Sequence, residues 1–165
     1  MIQGERCMKY ISLAILSYNS QEYMSHAIES ILVGGEDVEI IIVNDGSSDD
    51  TSKIAHEYEE KYPTIIKAVD KENGGHGDAV NSGLTHATGK YFKVVDSDDW
   101  VDAEALRKIL EFLKKLESED EEVDMLISNY VYEKVGATHK KCIHYRNVLP
   151  QNKIFKWEEI GRFHL

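Results

Sequence analysis

The chain has 165 residues, 42% of them hydrophobic and 30% charged, with two prolines, a composition that excludes disordered, collagen-like and coiled-coil classes and fits one globular domain. No apolar run reaches the ~20 residues of a membrane-spanning helix, and the polar opening MIQGERC does not read as a secretory signal. A net charge of −11 without a basic face argues against a nucleic-acid partner, and two cysteines, Cys7 and Cys142, are too few for a disulfide scaffold and point to the reducing cytoplasm.

Apolar strand-like runs alternate with segments of helical period. Residues 10–16 (YISLAIL) read as a first strand. Met24, Ala27, Ile28, Ile31 and Leu32 then form the stripe of an amphipathic helix, with Asn19 and Glu22 spaced as a capping box. Residues 38–43 (VEIIIV) are nearly all β-branched, as expected of a strand covered on both faces. A turn at 44–50 leads to a helix with Ile54, Ala55, Tyr58 and Tyr62 on one side, stopped by Pro63. Residues 65–69 read as the third strand. A Gly-rich loop precedes a helix bearing Ala79, Val80, Gly83, Leu84 and Ala87, for which Gly89 suits the C-cap. Residues 91–95 form the fourth strand, Ala103, Leu106, Leu110 and Leu113 mark a fourth helix, and 123–132 reads as a fifth strand. Such alternation implies an α/β fold, a mostly parallel sheet with helices on both faces.

In these sheets ligands sit at the carboxyl ends of the strands, where this sequence gathers its polar segments. Asp96-Ser97-Asp98-Asp99 follows the fourth strand. Carboxylates ~4 Å apart repel by about 4 kcal/mol near a protein surface, so they protonate, splay apart or share a cation; oxygen donors at this density suit Mg²⁺ or Mn²⁺. The competing expectation is an acidic turn with Asp99 or Asp102 capping the next helix. The Asp45 turn serves equally as an acceptor for a base N–H or a sugar hydroxyl, or as an Asx turn followed by an N-cap. In Glu72-Asn73-Gly74-Gly75-His76-Gly77-Asp78 the glycines permit a close ligand approach before a helix N-terminus; no Walker lysine follows. His139, Cys142 and His144 have metal-like spacing but no visible fourth ligand, and an alternating strand explains them. Trp100 and Trp157 are expected to be packing residues.

Taken in order, Ser17-Tyr18-Asn19, Val43-Asn44-Asp45-Gly46-Ser47-Ser48-Asp49, Asn73-Gly74-Gly75 with Asn81-Ser82-Gly83-Leu84, and Asp96-Ser97-Asp98-Asp99 resemble the family-2 glycosyltransferases of the Rossmann-like GT-A fold over residues 9–116. The resemblance implies transfer of a sugar from a UDP- or GDP-linked donor to an acceptor hydroxyl of a saccharide, lipid or protein, with inversion, as in polysaccharide biosynthesis. It implies that Ser17, Tyr18 and Asn19 line the nucleotide pocket and that Asp45 binds the base. Asn73, Gly75 and His76 would approach the donor, Asp96 would lie against its ribose or sugar, and Asp98 would hold Mn²⁺ or Mg²⁺ on the diphosphate. Val80 stands where many members carry Arg. Residues 1–165 then form one domain, the donor-binding part, with the acceptor part and the catalytic base expected beyond Leu165. The location expected is the cytoplasm or the inner face of the membrane. The alternative is a non-catalytic nucleotide-sugar-binding module.

Overall fold

The computed structural model describes residues 9–133 and 140–160. A first compact unit runs to Glu119 and a second from Asp120.

The first unit is built on a parallel sheet of β1 (Ile11–Ser17), β2 (Val38–Asp45), β3 (Ile66–Lys71) and β4 (Tyr91–Asp96), in the order β3-β2-β1-β4. Ile11 pairs with Val38 and Tyr91, and Ile40 with Ile66. The two central strands are buried on both faces, and Ile15, Ile40, Ile41 and Ile42 are inaccessible to solvent. Each such side chain contributes about 1.5–3 kcal/mol by leaving water, which is why two short aliphatic runs suffice to centre the core.

Four helices follow: α1 (Met24–Leu32), α2 (Thr51–Lys61), α3 (His76–His86) and α4 (Ala103–Ser118). The chain winds from β1 to β3 in one direction and then crosses back to β4. Right-handed crossovers therefore put α1 and α2 on one face and α3 on the other. The α3 face joins Ala14, Leu16, Ile41 and Val43 to Ala79. Gly83 lets this helix in close, since a Cβ there would lie 2.7 Å from the Ala14 Cβ. Met24, Ala27, Ile28 and Ile31 of α1 are buried as their spacing predicts, as are Leu106, Leu110 and Leu113 of α4.

Several expectations are corrected. No Asn19 cap exists: α1 begins at Met24 after Tyr23, and the Ser20 carbonyl accepts from the N–H groups of Tyr23 and Met24. Gly89 is not a left-handed cap: α3 ends at His86 with Ala87 as its C-cap, and Gly89 is not among the glycines with positive φ. It is needed for another reason, as its missing Cβ would sit 2.7 Å from the Ser12 nitrogen. β2 and β3 run past their apolar segments through Asn44-Asp45 and Asp70-Lys71, because the ladder is made by backbone groups and not by side-chain polarity.

In the second unit the expected strand at 123–132 shrinks to β5 (Tyr130–Tyr132), antiparallel to β6 (Lys141–Ile143). Asp124, Ser128 and Asn129 interrupt the apolar pattern, and residues 123–129 pair with no strand among the described residues. Trp157 is 67% exposed and so is not a packing residue; Trp100, 45% exposed, rests against the His26 ring at 5.0 Å between centroids. Cys7, His139 and the terminal residues 161–165 lie outside the described residues. Among those described, no helix is long and apolar enough to cross a membrane.

Candidate functional site

The strand order reverses at β1, which has β2 on one side and β4 on the other. Chain leaving the carboxyl ends of such neighbours diverges to opposite faces and opens a crevice. The expected site residues border it.

Ser17 closes β1 and is 1% exposed, yet its hydroxyl has no hydrogen-bond partner among the described residues. An unpaired buried hydroxyl costs about 1–3 kcal/mol. Tyr18 is exposed, and Asn19 adopts a left-handed φ of 50°. That turn aims the Asn19 N–H at Ser47 Oγ (2.9 Å) and its Oδ1 at the Ser48 N–H (2.9 Å). Asn19 therefore ties the β1 loop to the β2 loop. Ser20 extends the tie: its N–H donates to the buried Thr51 Oγ1 (2.8 Å), and its hydroxyl lies 2.7 Å from Ser97 Oγ beyond β4.

Asp45 is 5% exposed at the end of β2. Its Oδ1 accepts from Lys71 Nζ (2.5 Å) and the Gly74 N–H (2.9 Å), and its Oδ2 accepts from the Gly75 N–H (2.8 Å). Burial pushes this carboxyl up, but the bonds from Lys71, Gly74 and Gly75 outweigh it and hold Asp45 below the usual carboxylate range. Gly46, at φ 71°, passes so close to the Gly-rich loop that a Cβ would lie 2.7 Å from the Asn73 nitrogen. Asn73 and His76 are exposed. Gly75 precedes α3 at φ 82°, facing open space.

Beside β2, Asn44 Nδ2 donates to Asp70 Oδ1 (2.8 Å), and Asp70 Oδ2 lies 2.7 Å from His56 Nε2. The bonds to Asp70 and Glu59 raise the His56 pKa.

The fourth wall is Asp96 to Asp99. Asp96 and Asp98 are exposed, and Asp96 Oδ1 lies 3.2 Å from His76 Nε2. The Asp99 carboxyl is raised by burial and by the charges of Asp98 and Asp96. Asp102, not Asp99, caps α4, accepting from the Ala105 N–H at 2.8 Å. The cap and the acidic cluster are therefore separate devices. Among the described residues, no three His, Cys, Asp or Glu side chains converge on a common metal position. A cation at Asp98 would need oxygens from a ligand to complete its shell, as Mg²⁺ and Mn²⁺ take from phosphates. The exposed Asp98 carboxylate, which has no ion-pair partner among the described residues, fits such an ion.

Two parts of this arrangement escaped the sequence analysis. Lys71 lies beyond the strand expected at 65–69 and drew no role there; its register opposite Asp45 reveals it. Ser20 and Ser97 are small residues 77 positions apart whose contact no local pattern encodes.

Comparison with known proteins gives a consistent result. The profile of glycosyl transferase family 2 matches residues 12–155. The chain is 32% identical over 167 aligned residues to the putative glycosyltransferase EpsH of Bacillus subtilis (strain 168), covering 92% of this chain and 46% of that protein. It is 37% identical over 120 residues to the minor teichoic acid biosynthesis protein GgaB of the same organism, covering 70% of this chain and 13% of that one. The crystal structure of S. aureus TarS 1-349 superposes with a TM-score of 0.58 at 28% identity, covering 66% of this chain and 33% of TarS. The chain thus spans less than half the length of these relatives. With the profile matched over most of its length and four strand ends bearing the expected segments, the chain belongs to glycosyl transferase family 2.

Proposed function

We propose that this chain is the donor-binding part of a metal-dependent, inverting glycosyltransferase that moves a sugar from a UDP- or GDP-linked donor to an acceptor hydroxyl. The observation that carries this reading is the exposed Asp98 carboxylate, with no ion-pair partner among the described residues, next to Asp96 with its His76 contact and with the buried Asp45 and the unpaired Ser17 hydroxyl at neighbouring strand ends. TarS, related at 28% identity, has been crystallised with UDP and with UDP-GlcNAc. The minor teichoic acid biosynthesis name of GgaB supports a polysaccharide acceptor, and the expected working place is the cytoplasm or the inner membrane face.

In this mechanism Asp45 accepts an N–H of the base, while Ser17 supplies a hydroxyl and Tyr18 an exposed ring to the nucleoside. Asn19 keeps the β1 and β2 loops at a fixed spacing. Asp96 accepts from a ribose or sugar hydroxyl and orients His76 toward the donor. Asp98 would hold the divalent ion, Mn²⁺ or Mg²⁺, whose charge would offset that gained by the departing diphosphate. The acidic mouth would otherwise repel that diphosphate, for His76 is the nearest cation candidate to Asp96 among the described residues. The acceptor hydroxyl must lose its proton to a general base, a role given to none of the residues above.

Titration calorimetry with UDP in Mn²⁺ and in EDTA tests the reading. The expected result is affinity at least about tenfold higher with the ion. Equal affinity in both would contradict the metal's role.

A further inference from the structure

The Asp45 carboxylate is almost consumed by the protein's own donors. A carboxylate offers about four lone-pair positions, two on each oxygen. Oδ1 carries two donors, Lys71 Nζ and the Gly74 N–H, whereas Oδ2 carries one, the Gly75 N–H. One acceptor position therefore remains, and it is on Oδ2.

Lys71 is committed just as fully. Its ammonium has three protons, and it bonds Asp45, Asp78 Oδ2 (2.7 Å) and its neighbour's carbonyl at Glu72 (2.5 Å). Its side chain is 18% exposed, so it has no proton to spare for a ligand. It cannot easily swing away, because Asp45 and Lys71 are register partners in the β2–β3 ladder.

We infer that Lys71 determines the nucleobase of the donor, favouring uracil over guanine, by occupying the Asp45 oxygen that a two-donor base edge requires. The inference rests on the donor-site reading above. The pairing edge of uracil presents one N–H between two carbonyls. That of guanine presents N1–H beside the N2 amino group, and the pair meets a carboxylate by forking onto both oxygens. A single open position on Oδ2 satisfies the uracil N–H completely. Guanine would leave one donor buried without a partner, a loss on the order of tenfold or more in affinity. Lys71 acts through Asp45 and touches no part of the base.

The test is calorimetry on the full chain with UDP and with GDP at one Mn²⁺ concentration, for the wild type and Lys71→Met. The wild type is expected to bind UDP at least about tenfold more tightly than GDP. In Lys71→Met, with one of the two Oδ1 positions freed and the other still taken by the Gly74 N–H, the ratio should narrow to below about threefold, circular dichroism having established that the variant is folded. The wild-type ratio needs no variant and decides the base preference even if Lys71→Met fails to fold. Equal or tighter binding of GDP by the wild type overturns the inference while leaving the donor site standing. An unchanged ratio in folded Lys71→Met overturns the role of Lys71. Failure of both nucleotides to bind overturns the donor-site reading itself.

Discussion

At the scale of single residues, charge balance separates two kinds of carboxylate in this chain. Asp45 and Asp70 are answered by protein donors, Lys71 with two glycine N–H groups in one case and Asn44 with His56 in the other. Asp98 has no ion-pair partner among the described residues. Asp98→Asn should therefore lower Mn²⁺-dependent UDP affinity at least about tenfold while leaving the melting temperature nearly unchanged, since an exposed surface substitution usually costs within ~0.5 kcal/mol. Unchanged affinity would show that the ion is held elsewhere. His56 carries a second prediction. Its folded pKa is raised, first by the bond to Asp70 and then by that to Glu59. The stabilisation is fully present below the unfolded value of about 6.5 and is lost as pH rises through the higher folded value. A pH series of thermal melts should show wild type losing its advantage over His56→Gln across that window; parallel curves would refute the linkage. The effect should be small, as the His56 side chain is 47% exposed.

At the scale of elements, the glycines divide by what surrounds them. Gly46 combines a left-handed φ of 71° with a close approach to Asn73, whereas a Cβ on Gly77 in α3 meets nothing within 4 Å. Gly46→Ala should cost roughly 1–3 kcal/mol in denaturant unfolding and weaken UDP binding, because Asn73 must move and Gly74 and Gly75 with it. Gly77→Ala should be neutral or stabilising by up to about 1 kcal/mol. Similar losses for the two would mean that the β2 loop does not brace the Gly-rich loop. The same elements explain what could be read in advance. The aliphatic runs of β1 and β2 and the stripes of α1 and α4 announce the sheet and its covering helices, because burial on both faces leaves a continuous apolar signature. The strand-end segments likewise advertise their polarity. What stays hidden depends on register and long-range contact: the Asp45–Lys71 pairing, the Ser20–Ser97 contact and the seat of Gly89 against Ser12. Asn19 was misjudged for a related reason, since the form of a capping box cannot say whether the side chain bonds its own helix or the loop beside it. The apolar residues after Val123 misled in the other direction, for a run makes a strand only where a partner completes its ladder.

At the scale of the whole molecule, a chain of net charge −11 presents an acidic mouth to the anionic nucleotide proposed as its ligand. Mn²⁺ and UDP should therefore stabilise the protein together far more than UDP alone. A ligand at 100 times its dissociation constant adds about 2.7 kcal/mol, which for a chain of this size raises the melting temperature by roughly 5–10 °C. The same rise with UDP in EDTA would contradict the cooperation. The most direct measurement is a crystal structure of the chain grown with UDP and Mn²⁺. The account predicts the ion beside Asp98, bridging to the diphosphate, with the uracil N–H on Asp45 Oδ2. Ordered UDP bound away from the carboxyl ends of β1, β2 and β4, with no ion beside Asp98, would contradict it.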